Sequence, residues 1–172
     1  MENLKDLVLR LGRNDCRFVV VGGFCVASWG SSLLTLDVDV ACDMSPENLF
    51  RAWQALEEFH PVHRMAPGRL PFTREQAESG VLKNLYLSTD LGQLDLLGEV
   101  KGIGCFEECW KSSEPIRIGG TEIRALTLDA IILAKRAMGR PKDLHAVLEL
   151  EVIRELRGRA ASQLPNHYDG TQ

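Results

Sequence analysis

Apolar side chains recur along this chain with two periods, and the switches between them mark its elements. Leu4, Leu7, Val8 and Leu11 fall three and four apart, which predicts an amphipathic helix over residues 3–12. Phe18 to Val21 is a continuous apolar, β-branched run that reads as a buried strand, and Gly22-Gly23 breaks it. Phe24 to Trp29 predicts a short helix. From Leu36 to Cys42 apolar and polar residues alternate, the pattern of a strand with one buried face. Ser45-Pro46-Glu47 supplies a capping hydroxyl, a proline suited to the first turn and an acid near the positive helix end. A helix is therefore predicted to about Phe59, with Leu49, Trp53 and Leu56 turned inward.

Residues 60–79 are polar and proline-rich, and predict an irregular loop. Val81–Ser88 and Gln93–Val100 read as two strands joined around Asp90–Gly92. Residues 115–126 alternate on both sides of Gly119-Gly120 and predict a hairpin. Thr127 caps a helix from Leu128 to about Met138, Gly139-Arg140-Pro141 interrupts, and a last helix runs from Lys142 to about Arg157. Cys105 and Cys109, with Phe106 and Trp110, fit packing on a short helix. The sum is an α/β (α+β) fold, a small mixed β-sheet with packed helices. It is expected as one domain over residues 1–159, with the C-terminal helices starting near 127 and a polar, frayed tail at 160–172.

Composition narrows the class. At 172 residues the chain is long enough for a real core. A net charge of −4 argues against a bulk nucleic-acid coat or a polybasic membrane binder, though not against a local basic patch. No run of 18 apolar residues exists, so neither a transmembrane helix nor a membrane partner is expected, and Met-Glu-Asn-Leu-Lys-Asp lacks the layout of a secretion signal. The five cysteines, with no Cys-x-x-Cys pair, read as reduced, mostly buried thiols of a cytoplasmic protein. His60 and His63 are the one candidate zinc pair, and they read as loop histidines.

The candidate chemistry lies at Asp37 and Asp39. Alternate residues of a strand share a face, so these carboxylates point the same way and lie close together. Two like charges that close raise each other's pKa unless a cation sits between them, and Mg²⁺ is the usual resident where carboxylate and substrate phosphate oxygens meet. Taken alone, such a pair also fits a solvated strand face. Asp95 sits among Leu94, Leu96 and Leu97, a costly place for an unpaired charge, which favours a functional carboxylate.

Gly22-Gly23, a spacer and Asp37-x-Asp39 resemble the opening motif of the nucleotidyltransferase superfamily, the DNA polymerase β-like fold. Gly92-Gln-Leu-Asp95-Leu-Leu looks like the strand presenting its third carboxylate. Ala125-Leu-Thr-Leu-Asp129, Lys135 and Gly139-Arg-Pro-Lys-Asp143-Leu look like the C-terminal helical part of the AbiEii and MenA toxin-like branch. The likeness spans residues 18–150. It implies attack on the α-phosphorus of an NTP by an acceptor hydroxyl, with pyrophosphate leaving. Asp37, Asp39 and Asp95 would be catalytic and would hold Mg²⁺, or Mn²⁺ in its place. Gly22 and Gly23 would admit the triphosphate, Ser31, Ser32 and Thr35 would contact it, and Lys135, Arg140 and Lys142 would neutralise it, with Asp143 orienting a cation. Implied acceptors are RNA, such as tRNA, or protein, and a toxin role implies a cognate antitoxin.

Relatives often carry His-Gly-Ser…Arg-x-Thr-x-Asp before the carboxylates. Here the histidine position is Trp29 and the arginine position is Leu33, which removes a cation near the triphosphate. That departure supports a second reading, a catalytically weakened domain that binds nucleotide or a partner without transfer. A plain α/β interaction module is a third. Residues 131–159 carry seven basic side chains (Lys135, Arg136, Arg140, Lys142, Arg154, Arg157 and Arg159) against four acidic ones, a local excess able to meet tRNA phosphates or to form an ordinary solvated helix pair.

Overall fold

The structure, a computed structural model, describes residues 2–162. Helix α1 (Glu2–Arg13) buries Leu4, Leu7, Val8 and Leu11, the stripe its spacing predicts. Strand β1 (Phe18–Val20) is fully buried and runs into α2 (Gly22–Ser28), so the glycine pair opens a helix as well as ending a strand. Strand β2 (Asp37–Cys42) follows, then α3 (Pro46–Leu56). The Ser45 side chain accepts from the Asn48 amide, and Pro46 occupies the first turn, as its sequence dictates. A single 3₁₀ turn, Glu57–Phe59, ends it. Within α3, Leu49 and Leu56 are buried, while Trp53 is only partly so and stacks on Phe50.

The stretch expected as an irregular loop, 60–79, holds two elements: β3 (Val62–His63) and α4 (Arg74–Glu78). The helix is specified by a capping box, in which Thr73 accepts from the Gln76 amide and the Gln76 side chain accepts from the Thr73 amide. Both elements are too short for an apolar period to show. Then come β4 (Asn84–Thr89), β5 (Gly92–Leu97), a small hairpin of β6 (Glu99–Val100) and β7 (Gly104–Cys105), and α5 (Phe106–Lys111). The hairpin β8 (Ser113–Ile118) and β9 (Thr121–Leu126) precedes α6 (Leu128–Met138) and α7 (Pro141–Ser162). Helix α7 continues through residues 160–162, where a frayed tail was expected; the rest of that expectation lies outside the described residues.

Seven strands form one sheet in the order β3-β4-β5-β2-β1-β9-β8. It is mixed: β2–β5 and β1–β9 are parallel, and the other neighbours are antiparallel. In β2, Val38, Val40 and Cys42 share one face, and Cys42 is met there by Asn48 of α3, its amide 3.4 Å from Sγ. Asp37 and Asp39 point to the opposite face, where α2 and α6 stand. Among the described residues no helix is long and apolar enough to cross a membrane. All five cysteines are free, with Cys25, Cys42 and Cys109 buried and Cys105 exposed. The histidines are apart in role: His60 meets Asp90 and His63 meets Gln76.

One buried amide fixes the approach of α3 to the sheet. Asn48 Oδ1 accepts from the Arg17 amide at 2.7 Å, and Nδ2 lies 3.1 Å from the Arg17 carbonyl and 2.8 Å from the Asp43 carbonyl. It thereby joins the start of β1 to the exit of β2, and its removal leaves backbone groups of both without partners. Asn48→Ala is expected to cost about 2–3 kcal/mol, seen as a lower urea midpoint with an unchanged slope.

Candidate active site

The parallel pairing of β2 with β5 sets the site. Its register puts Asp39 directly beside Asp95 and Asp37 beside Gln93. Residues paired across neighbouring strands share a face, so Asp37, Asp39 and Asp95 form one acidic surface. They line a cleft of about 450 Å³ with Gly23, Leu33, Leu34, Thr35, Lys135, Arg140, Lys142, Asp143 and His145. Another cleft, about 480 Å³, lies between the β2 exit and α5, but two of its acids, Asp43 and Glu107, are already paired with Arg17.

Burial, then the charges of Asp37 and Asp95, push the Asp39 carboxyl up to about 6, although Lys135 and the Gly23 amide oppose this. Asp95 is also raised, by burial first, with Arg64 working against it. The glycine pair is shaped around these groups. Gly22 has φ +62°, and a Cβ there would lie 1.8 Å from Asp39 Oδ2. A Cβ on Gly23 would come 2.5 Å from Thr35 Oγ1. That hydroxyl in turn lies 2.9 Å from Asp37 Oδ1, so Thr35 holds the carboxylate beside it.

The opposite wall is cationic. Asp143 is fully buried and accepts from Lys135 Nζ at 3.1 Å and Arg140 Nε at 2.5 Å. Burial works to raise its pKa, but the hydrogen bonds from Arg140 and Lys135 prevail and hold the carboxyl below its ordinary value. Asp143 thus orients two cations toward the acidic surface. Lys142 also lines the cleft and makes no ion pair among the described residues.

Most of the site residues expected from sequence converge here: Gly23, Thr35, Asp37, Asp39, Asp95, Lys135, Arg140 and Lys142 line the cleft, and Gly22 abuts Asp39. Ser31 and Ser32 are not brought into it. Their hydroxyls both donate to Glu149 of α7, Ser32 Oγ at 3.0 Å, and so tie the α2–β2 connection to that helix. Trp29 is buried, donates from Nε1 to the Leu126 carbonyl at 2.9 Å and lies under the Arg157 guanidinium, a structural anchor. The basic excess at 131–159 is largely paired within the chain: Arg136 with Glu151, Arg154 with Asp129 and Arg159 with Glu155, besides the two cations on Asp143.

Sequence reading missed Arg64, which follows β3. Its backbone amide donates to the Tyr86 carbonyl, and its guanidinium reaches Gln93 and Asp95. Its Nε is buried without a hydrogen-bond partner. Only the long-range pairing of β3 with β4 and β4 with β5 carries it there, so no local signal in 60–79 points to it. Among the described residues, no group of three or more His, Cys, Asp or Glu side chains is gathered closely enough to hold a metal ion. Asp37 and Asp39 make no ion pair among the described residues, and their mutual repulsion, only partly offset at Asp39 by Lys135, is of the kind a divalent ion relieves.

No protein-family model matches the chain, and no curated protein matches it in sequence. Among solved structures, the chain is similar to a protein from Thermotoga maritima, provisionally named a nucleotidyltransferase and solved by crystallography. The two share 17% identity with a TM-score of 0.48, over 91% of each chain.

Asp39 holds its proton to about pH 6 in the folded chain, and only to the ordinary carboxylate range when unfolded. Between those limits the folded state binds more protons, so stability falls as pH rises from about 4 to 6. Asp39→Asn removes the penalty. The variant is expected to be more stable than wild type at pH 7.5, by on the order of 1–3 kcal/mol, with the gap closing toward pH 4. Equal thermal midpoints at pH 7.5 would show that the charge of Asp39 is already compensated.

Proposed function

We propose that this protein is a Mg²⁺-dependent nucleotidyltransferase, moving a nucleoside monophosphate from an NTP to an acceptor hydroxyl. The observation that carries this reading is an acidic strand pair facing a cationic helix pair across one cleft, with Asp37 and Asp39 on one side and Lys135, Arg140 and Lys142 on the other. A triphosphate–metal complex has that polarity: its metal seeks carboxylate oxygens and its phosphates seek ammonium and guanidinium groups. The residues present fit such a complex. Asp37 and Asp39 would hold the ion, Thr35 keeps Asp37 in place, and glycine at 22 and 23 leaves the room a side chain would fill.

Mg²⁺, held by Asp37 and Asp39, would supply positive charge that stabilises the negative charge developing on the transferred phosphate. The chain's own groups do the rest. Lys135 and Arg140, held by Asp143, face the leaving pyrophosphate charge. Asp95, pushed up by burial and level with Asp39, is the group placed to accept the proton of the acceptor hydroxyl. Arg64 fixes its orientation.

A second reading, nucleotide binding without transfer, is favoured by two observations. Leu33 lines the cleft where relatives place an arginine, and Arg64 already occupies Asp95. The acceptor is proposed as RNA, such as tRNA, or protein, in a toxin-like role with a separate antitoxin.

Two measurements separate these readings. Mg²⁺ with an NTP is expected to raise the thermal midpoint of wild type and not of Asp39→Asn; an equal rise in both sinks the metal-site assignment. Transfer of α-labelled NTPs, each in turn with Mg²⁺ or Mn²⁺, onto total tRNA and onto cell protein is expected to label one acceptor. Asp37→Ala/Asp39→Ala should lower that labelling by about 100-fold or more. Metal-dependent NTP binding with no pyrophosphate release would establish the second reading.

A further inference from the structure

A second opening, of about 210 Å³, joins the candidate active site. Asp39, Lys135 and Arg140 line both spaces, so the two meet at a waist made of one carboxylate and two cations. The glycine pair straddles that waist, with Gly23 on the larger cleft and Gly22 on the smaller lobe. Beyond the waist the chemistry divides. Asp37, Asp95, Lys142 and Asp143 line the larger cleft and not the lobe. The lobe is walled by Val21, Leu97, Val100, Ile131, Ala134 and Met138. Val21, Val100, Ile131 and Ala134 are buried, and Met138, 39% exposed, stands at the rim.

The β6–β7 hairpin, which the transfer chemistry does not use, supplies one wall. It is pressed onto α6 at Gly102, φ +87°, where a Cβ would come 2.5 Å from the Ala137 Cβ and 3.3 Å from the Leu133 carbonyl oxygen. Glu99 and Lys101, just before that glycine, are exposed and give the lobe a polar margin.

We propose that this lobe seats the base of the nucleotide whose triphosphate occupies the larger cleft. The inference rests on the nucleotidyltransferase reading and names the part of the substrate that reading leaves unplaced. An NTP joins two chemistries at its α-phosphate: a polyanion on one side, and on the other a flat ring with apolar faces and a polar edge. The protein presents the same division, with Asp39, Lys135 and Arg140 at the join. The α-phosphate belongs at that join and the β- and γ-phosphates with Lys142. The base lies against the aliphatic wall, its edge toward the carboxylate of Glu99 and the ammonium of Lys101, an acceptor and a donor. The volume suits one ring system, since a site for a drug-sized ligand has roughly 300–1,000 Å³. The acceptor is placed elsewhere by Asp95, the group positioned to take its proton, which lines the larger cleft and not the lobe.

Isothermal titration calorimetry of the full chain with Mg²⁺ tests this, using ATP, GTP, CTP and UTP in turn and inorganic tripolyphosphate beside them. Tripolyphosphate carries the charge without the nucleoside. Wild type is expected to bind its preferred NTP about tenfold or more tightly than tripolyphosphate, the gain from burying an apolar ring face. Ala134→Leu, which fills the lobe, should abolish that preference and leave tripolyphosphate affinity within about twofold of wild type. Should Ala134→Leu lose the far-ultraviolet circular dichroism of wild type, Met138→Ser at the exposed rim makes the same comparison, with a several-fold loss of preference expected. Equal affinity of wild type for every NTP and tripolyphosphate overturns the lobe assignment and leaves the metal–triphosphate reading standing. Binding of neither probe sinks both. A preference that survives in the folded lobe variant overturns the proposal, and its loss in Leu34→Ser instead would seat the base at the larger cleft. Equal weakening of both probes also overturns it, as the mark of damage to the shared cations.

Discussion

The parallel register of β2 on β5 is the constraint on which the site depends. It fixes Asp39 level with Asp95, and strand alternation then adds Asp37 to the same face. A slip of one residue would turn the carboxylates toward α1 and α3 and bring Val38 and Val40 into the cleft. The hydrophobic face therefore enforces the acidic one. Burial of Val38, Val40, Leu94 and Leu96 drives the pairing, and the clustered negative charge is its electrostatic cost. The molecule answers that cost locally with Arg64 on Asp95 and across the cleft with Lys135 and Arg140.

How much of this the sequence discloses follows from the range of each interaction. Helices α1, α3 and α6 are legible because their caps and apolar stripes are local, and Thr127 and Ser45 cap where the spacing says they should. The carboxylate pair of β2 is legible for the same reason, since alternation alone puts Asp37 and Asp39 together. Asp95 joins them by a pairing distant in sequence, which a single strand does not encode and only the family resemblance supplied. Arg64 depends on two successive long-range pairings and on a strand of two residues, and lies beyond the reach of any window. Ser31 and Ser32 show the converse. The family resemblance implied phosphate contacts for them, but Glu149, far along the chain, holds both hydroxyls.

Helix α7 carries three kinds of constraint on its three sides. One side seals the core, one binds the α2–β2 connection through Glu149, and the outer side carries Leu144, Leu148, Val152 and Leu156, exposed among the described residues. At its N-terminal turn, Asp143 is buried beneath Lys135 and Arg140, so the cations of the cleft are also the fastening of the C-terminal helices. Charge in the cleft and packing of α6 on α7 are in this way the same set of contacts.

The fit of Gly22 against Asp39 has a consequence for how this site can change over time. A side chain at 22 and a carboxylate at 39 would claim the same space, with Cβ and Oδ2 only 1.8 Å apart. Position 22 is in fact held to glycine twice over, by the acid at 39 and by its own φ of +62°, and even a Cβ at 39 would lie 2.7 Å from one at 22. Glycine there outlasts the chemistry, so it is the acid at 39, more than the glycine or overall identity, that sorts distant kin of this chain into those that retain its site and those that have let it go.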